Sequence, residues 1–73
     1  GLPREATIGQ VGMVIEIELA HEQIRVRFPM PVLGSDEWNC RCLTPVLVGD
    51  RVRVTDILGN DLVVQPHSTH TIL

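Results

Sequence analysis

Hydrophobic and polar residues alternate with a period of two along most of this chain. The first alternating run has apolar residues at Val11, Met13, Ile15, Ile17 and Leu19. A period of two is typical of a strand that buries one face. Gly12, inside this run, indicates a bulge or a close approach of another segment to the backbone. The pattern predicts a first strand with its odd-numbered residues facing inward.

Four more runs repeat this alternation between short segments rich in Gly, Pro or polar residues. The runs are 24–28, 37–42, 51–57 and 61–66. The segment 29–35 has two prolines and a glycine, and proline cannot donate to a strand ladder, so we expect a loop or an edge excursion there. A short turn at 20–23 predicts an antiparallel hairpin between the first two strands. That hairpin would set Glu16 opposite Arg27 and Glu18 opposite Arg25.

Five short strands without a credible helical period predict an all-β fold. The leading choice is a five-stranded OB-fold-like Greek-key barrel, and an SH3-like barrel is the alternative. The predicted organisation is a flexible lead-in at 1–8, a barrel domain at 9–66 and a tail at 67–73. The expected inward residues are Val11, Met13, Ile15, Ile17, Val26, Trp38, Cys40, Val52, Val54, Leu62 and Val64.

Length and charge narrow the classes of function. A chain of 73 residues is one domain at most. Its net charge of −3, with six arginines and no lysine, argues against a nucleic-acid or anionic-membrane partner. The sequence contains no apolar run of about 18 residues or more, the length that a membrane-spanning helix needs, and no signal peptide is visible.

The stretch GSDEWNCRC holds the single tryptophan and both cysteines, which raises the possibility of a metal or redox site. A structural zinc site needs four ligands, and the three histidines are irregularly spaced. His67 and His70 fall in the predicted tail. Cys40 and Cys42 are instead expected to be small core residues behind Trp38. We therefore predict no metal, no cofactor and no catalytic residues.

The arginines carry the strongest candidate chemistry, because five of them fall on outward positions of predicted strands. They are Arg25, Arg27, Arg41, Arg51 and Arg53. A phosphate-tracking stripe would make this an oligonucleotide-binding OB domain, which is the alternative function, but such domains also need exposed aromatic rings. Cross-strand pairing with glutamates is the plainer interpretation. Pairing in the first hairpin would leave Arg41, Arg51 and Arg53 as the candidate partner-binding residues.

The order of several motifs resembles that of a known family. The motifs are Gly9-Gln-Val-Gly12, Arg25-Val-Arg27-Phe28, Gly34-Ser-Asp-Glu-Trp38, Gly49-Asp-Arg-Val-Arg-Val54 and Gly59-Asn-Asp-Leu62-Val-Val64-Gln-Pro66. Together they resemble the C-terminal soluble domain of NfeD-like membrane proteins, over about residues 8–66. The sequence departs from the family pattern at Cys40 and Cys42. Family members more often carry a small residue, such as alanine, beside the arginine that corresponds to Arg41.

This resemblance implies an OB-fold barrel that follows transmembrane helices absent from this chain. It implies a non-catalytic protein-interaction module whose partner is a stomatin- or flotillin-like (SPFH) membrane scaffold. Longer relatives carry a serine protease domain, but nothing in this chain corresponds to it, so no protease activity is expected. The implied location is the cytoplasmic side of a prokaryotic inner membrane, in a membrane-anchored full-length protein.

Overall fold

The computed structural model describes residues 4–67, in which five strands form one sheet. A single helical turn precedes them and a short 3₁₀ turn joins the first two. The elements are α1 (Arg4–Thr7), β1 (Val11–Glu18), the 3₁₀ turn (Leu19–His21), β2 (Gln23–Val32), β3 (Ser35–Cys42), β4 (Arg51–Leu58) and β5 (Asp61–Pro66).

The sheet closes on itself in the order β1-β2-β3-β5-β4. Neighbouring strands are antiparallel except β3 and β5, which run parallel and carry the Greek-key crossover. This arrangement confirms the predicted all-β, OB-type five-stranded barrel. Closure gives the strands neighbours on both sides, so a small domain avoids exposed sheet edges.

The inward and outward faces of β1 differ from the prediction. Val14 is fully buried, whereas Met13 is 43% exposed, so the assignment of Met13 to the core was wrong. Val11 and Ile15 are only half-buried and lie on the same side of the strand as Met13. A bulge between Val14 and Glu16 then reverses the alternation, and Ile17 packs against the core as predicted.

Gly12 explains why β1 takes this orientation. A Cβ atom at Gly12 would lie 2.6 Å from Cγ1 of Val26, 2.8 Å from the carbonyl oxygen of Arg27 and 2.9 Å from Cδ1 of Phe28. All three distances are shorter than real Cβ contacts, so only glycine fits. This confirms the predicted close approach to the backbone. With Gly12 facing inward, Val14 must share that face, because residues i and i+2 point the same way.

The remaining strands supply most of the core, largely as predicted. The predicted inward residues that are buried are Val26, Cys40, Val52, Val54, Leu62 and Val64. Trp38 is half-buried and packs against this cluster. Ile57 was not expected in the core. It points inward because a second bulge, between Val54 and Asp56, shifts the alternation of β4 by one residue.

Of the two forms predicted for the segment 29–35, a loop or an edge excursion, the loop is not observed. β2 continues to Val32, which is buried, and turns into β3 through Leu33 and Gly34, both with positive φ (50° and 90°). The two prolines are tolerated because the β2–β3 pairing is interrupted between Arg27 and Val32. The indole Nε1–H of Trp38 donates to the carbonyl oxygens of Val32 (2.8 Å) and Ser35 (3.0 Å), which ties this hairpin together.

Parts of the predicted lead-in and tail lie within the described residues and contact the barrel. Residues 4–7 form a helical turn, Thr7 is buried, and the Gly9 amide donates to the Val54 carbonyl at 2.8 Å. These contacts attach the end of the predicted flexible lead-in to the barrel. At the other end, the His67 amide donates to the Arg51 carbonyl at 2.8 Å. The rest of the predicted tail, including His70, lies outside the described residues.

We predict that Gly12→Ala destabilises the domain by about 1–3 kcal/mol, because the added methyl group would overlap Val26 and Phe28 in a filled core. The free energy of unfolding in urea measures this. Met13→Ala is the matched control on the opposite face, and its cost should stay within about 0.5 kcal/mol. A larger loss for Met13→Ala than for Gly12→Ala would mean that β1 faces the other way.

Candidate partner-binding surface

The two arginines of β2 share one carboxylate of β3. Glu37 accepts from Nε of Arg25 through Oε1 (3.1 Å) and from Nη2 of Arg27 through Oε2 (2.7 Å). The hydrogen bond from Arg27 is the main cause that lowers the pKa of Glu37, and the hydrogen bond from Arg25 is the second. The hydrogen bond between Arg27 and Glu37 also raises the pKa of Arg27. Arg25 also donates to the Asn39 side chain at 3.0 Å. The predicted arginine–glutamate pairing therefore exists across strands, but it joins β2 to β3.

The pairing predicted within the first hairpin was wrong. Glu16 lies opposite Arg25, and Glu18 lies opposite Gln23. The Glu18 carboxylate contacts the ring of His21 in the 3₁₀ turn. The hairpin turns through Leu19–His21 and Glu22, one residue earlier than the predicted 20–23, so each partner on β2 moves by two positions.

The three candidate partner-binding arginines separate into two groups. Arg41 on β3 donates from Nε to Oδ2 of Asp61 at 3.1 Å. Arg51 and Arg53 on β4 are exposed, and neither guanidinium has a hydrogen bond or ion pair with the described residues. Since β5 lies between β3 and β4, Arg41 is also separated in space from the other two. Arg51 and Arg53 are therefore the strand arginines whose charge the described part of the domain leaves uncompensated.

The apolar outer side of β1 lies beside these two arginines. Arg51 is directly opposite Met13, and Arg53 is opposite Val11. On its other side, Met13 pairs with Arg27 of β2. Met13 therefore sits between two arginines: Arg27, which is bonded to Glu37, and Arg51, whose guanidinium has no partner among residues 4–67.

A groove of about 580 Å³, here called the Met13 groove, opens over this part of β1. Its lining combines apolar side chains with two arginines and one aspartate. The lining residues are Val11, Gly12, Met13, Ile15, Arg27, Phe28, Pro29, Asp36 and Arg51. Sequence reasoning missed the apolar part because it assigned those residues to the core. Gly12, flanked by larger residues in an alternating run, was the signal that could have revealed it.

The two cysteines lie as the core interpretation expects. Cys40 is buried, and burial, as the main cause, raises the pKa of its thiol to about 12, so the reactive thiolate is suppressed at neutral pH. Cys42 is half-buried against the core, and both thiols are free. Among the described residues, no three His, Cys, Asp or Glu side chains form a cluster that could hold a metal ion.

The closed barrel with charged side chains across its outer face is a small OB-type domain. A model of the family described as NfeD-like C-terminal, partner-binding domain matches residues 4–66. The chain therefore belongs to that family, which confirms the resemblance seen in the sequence. No helix within residues 4–67 has the length and hydropathy needed to cross a membrane.

A solved structure supports the same assignment. The chain is similar to the C-terminal domain of stomatin operon partner protein 1510-C from Pyrococcus horikoshii, with a TM-score of 0.70 and 25% identity. The match covers 94% of this chain and 100% of that one. A search of curated proteins found no significant match.

We predict that Glu37→Gln reduces the dependence of stability on acid pH. The folded pKa of Glu37 lies below its ordinary value of 4.5, so its contribution is present above that pH and is lost as the pH falls through the lowered value. Urea unfolding at a series of pH values measures the loss. Glu22→Gln, which removes an exposed carboxylate outside this arginine pair, should keep the wild-type pH dependence. An unchanged pH dependence in Glu37→Gln would contradict the ion-pair assignment.

Proposed function

We propose that this domain is a non-catalytic protein-interaction module whose partner is a stomatin- or flotillin-like SPFH membrane scaffold. The observation that carries the proposal is the match of residues 4–66 to a family described as partner-binding. The similar solved domain is titled a stomatin operon partner protein, which supports a stomatin-type partner. In this proposal the full-length protein is anchored in a prokaryotic inner membrane and holds this domain on the cytoplasmic side.

The proposed contact face centres on Arg51 and Arg53. Charges already bonded inside a domain must give up those bonds to engage a partner, whereas an unpaired guanidinium does not. Arg41, with its carboxylate partner Asp61, is therefore a weaker candidate than the sequence suggested. We therefore propose that Arg51 and Arg53, but not Arg41, contact the partner. Arg41 serves as a control residue in the experiment that tests this.

The oligonucleotide-binding alternative gains no support from these contacts. OB domains bind nucleic acid mainly through the face of β2 and β3, with bases stacked on exposed aromatic rings. Here the arginines of that face are bonded to Glu37 and Asp61. Phe28 is buried, and the indole N–H of Trp38 is bonded within its own hairpin. The proposed function therefore includes no nucleic-acid partner.

We predict that the double variant Arg51→Ser, Arg53→Ser weakens binding to the purified stomatin-like protein of the same organism by about tenfold, close to 1.4 kcal/mol. Isothermal titration calorimetry measures the affinity. The control variant Arg25→Ser, Arg41→Ser removes the same charge from arginines that are bonded internally, and its binding should change by less than about threefold.

Two results would contradict the proposal at different levels. No binding of the unchanged domain to stomatin- or flotillin-like proteins would remove the proposed partner class. Full binding by the Arg51→Ser, Arg53→Ser variant, with loss in the control variant, would move the contact face to β2 and β3.

A further inference from the structure

The Met13 groove combines an apolar floor with a charged wall. Its floor is apolar, with Met13 43% exposed, and one wall carries a guanidinium that has no partner within the described residues. We propose that the Met13 groove binds an extended acidic segment of a partner protein, with carboxylates on Arg51 and Arg53 and an apolar side chain against Met13. This inference rests on the proposed function and specifies its contact.

The contact must be made by side chains. β1 pairs with β2 and β4 at Met13, so its backbone groups there are already used and a partner strand cannot add to the sheet. An apolar side chain of the partner would instead cover Met13, Val11 and Ile15. Methionine suits this role because its flexible thioether adapts to the shape of the group that packs on it.

The charges determine which segment fits. Arg51 and Arg53 occupy alternate positions of β4 and face outward together, about 6.5–7 Å apart along the strand. Alternate residues of an extended segment have the same spacing, so two carboxylates separated by one residue match the two guanidinium groups. Met13 lies one strand spacing from Arg51, within reach of a neighbouring apolar side chain of that segment.

The opposite end of the Met13 groove gives the segment a direction. The guanidinium of Arg27 is already bonded to Glu37. Asp36 also lines this end and would repel a carboxylate. The carboxylates of the segment therefore lie over β4, and its apolar side chain lies beside them over β1, away from Arg27 and Asp36.

A second copy of this chain is the competing occupant. The tip of the β1–β2 hairpin carries Leu19, which is 84% exposed, beside Glu18 and Glu22. Its chemistry is similar to that of the proposed segment. Within the domain, however, the Glu18 carboxylate already contacts His21, which lowers its availability. Self-association of the domain, and its loss in Leu19→Ser, would distinguish a second copy from a partner segment.

The test uses a peptide probe, acetylated and amidated Ser-Glu-Ser-Glu-Leu-Leu-Ser, titrated into the ¹⁵N-labelled domain. We expect the largest amide shifts in residues 11–15, 27–29 and 51–53. Two control peptides replace both glutamates by lysine or both leucines by serine, and each should bind at least about tenfold more weakly.

Variants of the domain locate the contact. Arg51→Ser with Arg53→Ser should weaken binding of the peptide about tenfold, and Met13→Ser about threefold or more. Arg25→Ser and Leu19→Ser are matched controls outside the Met13 groove and should change the affinity by less than about twofold. Thermal unfolding of each variant verifies that the exposed substitutions leave the barrel folded.

Three results would overturn the inference. They are equal binding of the lysine peptide, amide shifts centred on Arg25 and Asn39, and self-association of the domain that Met13→Ser or Leu19→Ser abolishes. Binding of a stomatin-like protein that does not depend on Met13, Arg51 and Arg53 would also reject it, together with the proposed contact face, while leaving the proposed partner class intact. Binding of the peptide as expected, without binding of any SPFH protein, would support this site and reject the proposed partner class.

Discussion

The contact of Gly12 with Val26 and Phe28 determines how β1 is used. No side chain fits at that position, so Gly12 and Val14 must face the core and Met13 must face outward. A regular strand would then have turned Ile17 outward as well. The bulge at Ile15 prevents this, and it returns Ile17 to the core while leaving Val11, Met13 and Ile15 on the outside.

The orientation of β1 places an apolar surface beside the arginines of β4. The barrel brings β3 beside β2 and β5, and the carboxylates of Glu37 and Asp61 then take up Arg25, Arg27 and Arg41. β4 lies next to β1, whose outer side is apolar. Arg51 and Arg53 therefore remain without a carboxylate among the described residues. An apolar strip next to uncompensated positive charge, in a domain of net charge −3, follows from the strand order and the bulge together.

The sequence was sufficient to predict those features that depend only on the local alternation of apolar and polar residues. The five strands, the inward positions of Val52 and Val54, and the outward positions of Arg51 and Arg53 follow from a period of two. The outward side of β1 could not be predicted in this way, because its odd positions are more apolar than its even ones and only packing against Phe28 reverses the choice. The pairing of Arg41 with Asp61 depends on the parallel β3–β5 neighbours, which no local pattern reports.

The Met13 groove exists only if Met13 faces solvent, and solvent paramagnetic relaxation of methyl groups measures that exposure directly. With a soluble gadolinium chelate and a methyl-labelled domain, the Met13 ε-methyl should relax strongly. The Val14 methyls, which are fully buried, should be nearly unaffected. Strong relaxation of Val14 together with protection of Met13 would show that the odd-numbered residues face the core, and both the Met13 groove and its proposed ligand would be lost.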